Sequence, residues 1–303
     1  MKTFKNLKYL GLIALAISFT ACNDEEDFEQ FLDEPPMEAV TLPALNAGSA
    51  DFSNYIAVGP SFSAGQSDGS VFLASQNNSW PNIISKEFAK VGGGEFKQPT
   101  MDDNYGGLSL GGTRISGPRL VFGGAGPVPL ESIVGPVTVA TDILNPPTGP
   151  FNNYGVPGAS SFHFVAPGYG NITNLSAGLA NPYAVRLTGS TPNASIIELA
   201  VAQNPSFFTL SLFGGNDVLG YSTGGAAVGT ITPLATFEGA LDIALAALTA
   251  NGAEGVVSGT PHVTDLPYFT TVPYNAVPLD AATAALVNGA YAPYNGGLLA
   301  ALV

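Results

Sequence analysis

The chain is poor in cysteine, histidine and basic residues, and each shortage excludes a class of protein. It contains one cysteine, Cys22, and two histidines, His163 and His262, so no internal disulfide can form and a zinc site would lack ligands. Nine Lys and Arg stand against 23 Asp and Glu, a net charge of −14. Because phosphate binding needs basic side chains, no nucleic-acid partner is expected. We also expect no metal.

The composition is that of an ordered domain with long loops. Of the 303 residues, 46% are hydrophobic and only 11% are charged, while Gly (37) and Pro (24) are abundant. The 18 Phe and 11 Tyr argue against disorder, since disordered chains have few aromatic residues. One large α/β domain can account for this length.

The first residues read as a targeting signal. Residues 1–22 combine a lysine-containing start, a short apolar stretch over 9–19 and small residues before Cys22. The cleavage region resembles a lipobox, although Phe19 departs from its usual aliphatic residue. This resemblance implies that Cys22 is lipidated and anchors the protein to a membrane.

An acidic tether is predicted after the signal. Residues 23–38 contain eight acidic side chains and no basic one, so we interpret 23–50 as a flexible tether. The acidic run resembles the surface-export signal of Bacteroidetes lipoproteins. It implies an outer-membrane lipoprotein of the cell envelope that faces outward. The structured domain is expected over 51–303.

The hydrophobic pattern of this domain alternates strands with helices, which predicts an α/β fold with a parallel sheet covered on both faces. Strands are predicted at 54–58, 207–213 and 255–258, and helices at 80–91, 194–203, 233–250 and from Asp280 onward, with Ser79 and Thr232 as N-caps. A Gly- and Pro-rich insertion is predicted over about 98–150, with short strands at 119–122 and 137–141. The turns at 59–65, 214–217 and 260–265 should share the carboxyl edge of the sheet, where ligands bind in such folds.

Three of these segments resemble, in order, blocks I to III of the GDSL/SGNH hydrolases: YIAVGPSFSAGQSDG (55–69), NNYGVPGAS (152–160) and FGGND (213–217). The resemblance implies a three-layer, flavodoxin-like SGNH fold. It implies Ser61 as nucleophile, with its own N–H, the Gly158 N–H and the Asn216 amide stabilising the oxyanion. Asp217 is expected to brace its turn.

The implied activity is hydrolysis of carboxylic esters, of the esterase or lipase type, through an acyl-enzyme. No cofactor is implied. The substrate would be an ester of a small molecule, a lipid or an acylated glycan, and the insertion would shape its pocket.

Two departures from the family pattern matter. Pro60 stands where the family has Asp, which removes a backbone donor. The family's fourth block, Asp-x-x-His, does not occur, so we expect the hydrolase domain to be incomplete at its C-terminus. A serine without its base loses on the order of a million-fold in turnover, and this chain should be almost inert.

Neither histidine replaces the missing base convincingly. His163 lies between two phenylalanines and is expected to be structural. His262 precedes Asp265, in the reversed order His-x-x-Asp. It could replace the missing base only if the base came from an earlier segment of the chain than it does in the family.

The competing interpretation is a surface lipoprotein with a decayed hydrolase fold that binds glycans or lipids without cleaving them. Pro60 and the missing histidine favour it. The joint retention of Ser61, Gly158 and Asn216 favours the hydrolase.

Overall fold

The computed structural model of the protein describes residues 44–271 and 277–301. The expected signal sequence, Cys22 and most of the tether lie outside the described residues. The chain from Asn46 on belongs to one compact unit. Ala50 already packs partly against the core, so the folded body begins close to the expected position 51.

Eight strands and eleven α-helices are present in the described residues. The strands are β1 (Tyr55–Gly59), β2 (Leu108–Leu110), β3 (Thr113–Ser116), β4 (Leu120–Phe122), β5 (Pro127–Pro129), β6 (Asn153–Gly155), β7 (Phe207–Ser211) and β8 (Glu254–Ser258). The helices are α1 (Leu73–Asn77), α2 (Trp80–Ala89), α3 (Glu131–Val134), α4 (Ser161–Val165), α5 (Pro182–Val185), α6 (Ile196–Val201), α7 (Gly215–Gly224), α8 (Leu234–Thr249), α9 (Pro267–Thr270), α10 (Ala281–Ala290) and α11 (Ala292–Ala301).

Four strands form a central parallel sheet in the order β6-β1-β7-β8. The register sets Ala57 opposite Asn153 on one side of β1 and opposite Thr209 on the other. Helices flank this sheet, so the expectation of an α/β fold with a parallel sheet is confirmed.

The two faces of β1 enter different cores because successive side chains of a strand point to opposite faces. Ile56 and Val58 lie in the larger core, which α4, α6 and α8 cover. Tyr55 and Ala57 lie in a second core, against which Phe88 of α2 packs. The sheet is therefore covered on both faces at β6, β1 and β7, whose residues are all buried, but not at the edge strand β8, whose residues are all exposed.

The segment 98–150 stays outside the central sheet and forms the hairpins β2–β3 and β4–β5 and the helix α3. The strand predicted at 119–122 is β4. The strand predicted at 137–141 is absent, since this segment meets β2 only around Ser109. The N–H groups of the segment go to carboxylates instead of a strand: Val137 N–H donates to Glu131 Oε1 (2.9 Å) and Ala140 N–H donates to Asp103 Oδ2 (3.3 Å).

The two predicted helix caps have different outcomes. Ser79 is the N-cap residue of α2, as predicted, but its hydroxyl donates to Gln98 Oε1 (3.1 Å) and makes no cap hydrogen bond. The N-cap of α8 is Pro233, because the N–H of Thr232 donates to the Asp217 carbonyl (2.9 Å) and Thr232 stays outside the helix. A long-range contact thus engages the Ser79 side chain and the Thr232 main chain.

The C-terminal helix begins as predicted, with Asp280 Oδ1 accepting the Thr283 N–H (2.8 Å). It breaks at Tyr291, where the backbone leaves helical geometry, and continues as α11. Among the described residues, no helix combines the length and the hydrophobicity that a membrane span requires.

The end of β6 offers a test of backbone packing. A Cβ at Gly155 would overlap the backbone N of Ala64 and lie 2.5 Å from its Cα, and backbone cannot move aside cheaply. We expect Gly155→Ala to lower the free energy of unfolding by at least about 2 kcal/mol. Gly239→Ala, in α8 with no atom within 4 Å of the new Cβ, should raise it by up to about 1 kcal/mol. Urea unfolding measures both, and equal effects of the two variants would contradict the packing described.

Candidate active site

The turn after β1 carries Ser61 and is one short helical turn. Ala64 N–H donates to the Pro60 carbonyl (3.1 Å), and Gln66 N–H donates to the Ser61 carbonyl (2.9 Å). Pro60 opens this turn, a position where its missing N–H is not needed and its fixed φ suits the backbone. The departure from the family's Asp at this position therefore breaks no hydrogen bond of the turn. Ser61 is half-buried, and within the described chain neither its N–H nor its hydroxyl makes a hydrogen bond.

Asn153 holds this turn against β6. Its side-chain amide donates to the Ser63 carbonyl (2.7 Å) and to Gln98 Oε1 (2.9 Å), and its Oδ1 accepts the Gly155 N–H (2.9 Å). The residue is buried. This role could not be predicted from the sequence, where Asn153 is the second of two adjacent asparagines and nothing distinguishes it from Asn152.

Asn216 and Asp217 connect the start of α7 to the start of α4. The Asn216 amide donates to the Ala159 carbonyl (2.9 Å). The Asp217 carboxylate accepts the Ser161 N–H (2.8 Å) and hydroxyl (2.7 Å), and it is 4% exposed. Asp217 thus braces the site, as expected, and Asn216 is fixed next to Gly158.

Gly158 has an unusual backbone that leaves its N–H available. Its φ is +76°, a left-handed conformation that glycine adopts without strain. The residue is exposed, with open space where a side chain would be. In the part of the chain that the structure describes, its N–H donates no hydrogen bond.

The three predicted turns border one cleft of about 500 Å³, which we call the Ser61 cleft. Its polar side chains, glycines and prolines come from the turns after β1, β7 and β8: Pro60, Ser61, Gln66, Ser67, Asp68, Gly69, Gly215, Asn216, Thr260 and Pro261. Ser61 and Asn216 therefore face the same space. Gly158 does not line the cleft. It adjoins Ala159, whose carbonyl holds the Asn216 amide.

Leu212 is a wall residue that the sequence did not reveal. The strand predicted to reach 213 ends at Ser211, because Leu212 has a φ of +47°. Its N–H donates to Ser258 Oγ (3.0 Å), and its carbonyl accepts the Gly215 N–H (2.9 Å). A bulky residue in this region is an outlier, and such strain often marks functional sites.

His163 is structural, as expected. Its Nδ1 accepts the Ser160 N–H (3.0 Å), and its ring stacks on Tyr169 with centroids 4.4 Å apart. Burial lowers the pKa of His163, and the charge of Asp217 offsets part of this effect.

His262 belongs to the segment that borders the Ser61 cleft, but it is exposed and is not among the lining residues. Neither its side chain nor that of His163 makes a hydrogen bond to Ser61. Within the described residues, Ser61 therefore has no histidine partner.

Comparisons with family models, curated proteins and solved structures find no match for this chain. Its function must therefore be argued from the Ser61 cleft itself. The cleft places a serine hydroxyl and an amide donor together at the carboxyl edge of a parallel sheet. That arrangement is suited to nucleophilic chemistry on a carbonyl group.

Because His163 is partly buried, we expect the stability of the fold to depend on pH. Because its pKa is lowered in the folded state, the unfolded chain binds more protons there, and stability falls as the pH drops below about 6.5. His163→Gln should lose less unfolding free energy than the wild type between about pH 7.5 and pH 5. His262→Gln, at an exposed position, should follow the wild type. An unchanged pH dependence in His163→Gln would contradict this account.

The Asp217 carboxylate should be a main stabilising contact of the site. In Asp217→Ala, two buried donors of Ser161 lose their acceptor, and we expect a loss of about 3 kcal/mol in unfolding free energy. Asp217→Asn keeps one acceptor oxygen and should lose less. Asp242→Ala, on the exposed face of α8, should change stability by less than about 0.5 kcal/mol. Denaturant unfolding of the three variants measures these changes in the free energy of unfolding. A loss in Asp217→Ala no larger than the loss in Asp242→Ala would refute the bracing role.

Proposed function

We propose that the protein is an SGNH-type serine hydrolase that cleaves carboxylic esters through an acyl-enzyme. The observation that carries the proposal is the position of Ser61 in the same cleft as Asn216. The Asn216 amide is fixed beside Gly158, whose N–H has no partner within the described residues.

The proposed reaction begins when Ser61 Oγ attacks the ester carbonyl carbon. Negative charge develops on the carbonyl oxygen, and the Ser61 N–H and the Asn216 amide, which both face the cleft, donate to it. The family resemblance assigns a third donor to the Gly158 N–H, which adjoins the cleft but does not line it. Asn216 can do this because its NH₂ has two hydrogens and only one is needed for the Ala159 carbonyl. The tetrahedral intermediate expels the alcohol and leaves an acyl-serine, which water then hydrolyses.

The reaction also needs a base to accept the Ser61 proton. His163 uses its Nδ1 for the Ser160 N–H, and His262 does not line the cleft. Loss of the base costs on the order of a million-fold in turnover, while the oxyanion donors retain about a thousand-fold over water. We therefore propose that this chain acylates slowly and binds its substrate normally. The proposed lipid anchor at Cys22 would hold it at the outer membrane.

A second candidate is a lipoprotein that binds the same ligands without cleaving them. The lack of a histidine at Ser61 among the described residues favours it, and a cleft of about 500 Å³ is large enough for a small ligand. The two functions differ in whether Ser61 reacts.

Chemical rescue with imidazole tests the hydrolase. Imidazole in solution can supply the missing base, so hydrolysis of a p-nitrophenyl ester should rise with imidazole concentration above the protein-free blank. Ser61→Ala should abolish this increment. Asn216→Ala should reduce it by about 10²–10³-fold.

Ser67→Ala is the matched control, since Ser67 lines the same cleft and its hydroxyl has no role in the proposed reaction. It should keep the rescued rate. If Ser61→Ala is rescued as well as the wild type, the hydrolase proposal is wrong and the binding protein takes its place.

A further inference from the structure

The Ser61 cleft has mostly apolar walls beyond the serine and the asparagine. Six hydrophobic side chains line it: Phe62, Leu212, Val218, Leu219, Val263 and Leu266. Phe62 is 63% exposed and Leu219 is 42% exposed, so both present hydrocarbon to the solvent beside the nucleophile. Exposed apolar surface gathered in a concave site indicates an apolar ligand.

The charge of the cleft excludes an anionic ligand. Asp68 is the one charged side chain among the described residues that line it, and it is acidic. A phosphate or carboxylate on the substrate would meet no cation there and would be repelled. A sugar would place part of its hydroxyls against the six apolar side chains, which offer them no hydrogen-bond partner.

The volume argues against an acetyl group. About 500 Å³ falls within the range of about 300–1,000 Å³ that binds drug-sized ligands, and an acetyl group would leave most of the apolar wall in contact with water. A hydrocarbon chain fills such a space and removes the wall from water.

A second apolar space meets the Ser61 cleft at two shared walls. This α2 groove has a volume of about 630 Å³ and lies between α2 and β7–β8, with Trp80, Ile84, Phe88 and Val256 among its walls. Phe62 and Leu212 border both spaces. The left-handed main chain of Leu212 is fixed between them by the hydrogen bonds of its N–H to Ser258 Oγ and of its carbonyl with the Gly215 N–H.

From these contacts we infer that the Ser61 cleft binds the unbranched, medium-length hydrocarbon chain of an acyl ester, and that Leu212 limits the chain length. The inference rests on the proposed function for the identity of the reacting group. The hydrocarbon chain lies against the six apolar walls, with its carbonyl at Ser61. Leu212 closes the path from this cleft into the α2 groove.

Neutral methyl ketones of increasing chain length are suitable probes, because they carry a carbonyl and cannot be hydrolysed. Binding is measured by calorimetry on the whole chain. Each added methylene that the cleft buries should tighten binding about fourfold, until the cleft is full and the affinity levels off. A flat dependence on chain length overturns the inference.

Variants of the walls test the role of Leu212. Leu212→Gly suits the left-handed backbone and should open the cleft into the α2 groove. The chain length at which the ketone affinity stops rising should therefore increase. The longer ketones should also change the emission of Trp80, which is the one tryptophan of the protein. In the wild type the same ketones should leave Trp80 unchanged. If Leu212→Gly behaves as the wild type, Leu212 does not set the limit.

Leu219→Phe fills the cleft and should move the levelling-off to shorter chains. Its matched control is Leu144→Phe, at an exposed leucine of the insertion that lines neither space. The control should keep the wild-type series. Equal effects of the two variants count against binding in the Ser61 cleft.

The outcomes separate this inference from the proposed function. Ketone binding does not need a reactive serine, so Ser61→Ala should keep the dependence on chain length. Ser61-dependent hydrolysis with a flat chain-length series overturns the inference alone. If the affinity rises about fourfold for each methylene but imidazole rescues no hydrolysis, the proposed enzymatic function is overturned and binding of an apolar ligand is supported.

Discussion

The turn that carries Ser61 packs backbone against backbone on the ends of two neighbouring strands, and the geometry of the cleft depends on this packing. A side chain at Gly59 would lie 2.7 Å from the Ser211 carbonyl of β7, and one at Gly155 would overlap Ala64. Protein interiors are close-packed, so such overlaps cannot be absorbed without moving a strand. The two glycines thus let the turn sit on the carboxyl edge of the sheet. Because the sheet is parallel, the turns after β7 and β8 reach the same edge.

A buried carboxylate extends this constraint to the side of the cleft that Asn216 lines. Asp217 has no basic partner among its hydrogen bonds, and two donors of Ser161 satisfy it instead. Hydrogen bonds to a charged acceptor are short and strong, which makes the connection between α7 and α4 rigid. Asn216 precedes Asp217 by one residue and Ala159 precedes Ser161 by two, so this connection positions both of them. Donors held in place before a ligand arrives need no reorganisation when charge develops, and this is the requirement for oxyanion stabilisation.

The parts of the fold that depend on local pattern could be predicted from the sequence. Five elements lie close to their predicted bounds: β1, α2, β7, α8 and β8. Their apolar runs and amphipathic patterns extend over many residues and can therefore be recognised in the sequence. The parallel order of the sheet placed three turns on one edge. Elements set by a single distant contact could not be predicted. The cap at Pro233 depends on Asp217, and the missing strand at 137–141 depends on the carboxylates of Glu131 and Asp103.

The same division applies to the site. Ser61 and Asn216 could be found because their turns follow strands and match motifs with a recognisable order. Leu212 and Asn153 could not. The left-handed backbone of Leu212 contradicts the conformational preference of its residue type, and only a tertiary environment can impose it. Asn153 is one of two adjacent asparagines in the sequence, and its three hydrogen bonds are visible only in the folded chain, where the turn of Ser63 lies beside it. Leu212, with a backbone unusual for its residue type, and Asn153, with a buried polar side chain, thus fix parts of the cleft that local sequence patterns do not predict.

Binding and turnover in this cleft depend on different physical quantities. The proposed function is therefore compatible with a Ser61 that has no histidine partner among the described residues. Affinity for a hydrocarbon chain comes from the apolar area removed from water, which the six walls supply whether or not Ser61 can lose its proton. The products differ in charge from the ester. Hydrolysis converts a neutral ester into a carboxylate, which would lie near Asp68 in a protein of net charge −14. Like charge disfavours the bound acid relative to the ester. An apolar cleft with an acidic lining therefore favours uptake of the ester and release of the acid, a direction that a cleft lined by basic residues would oppose.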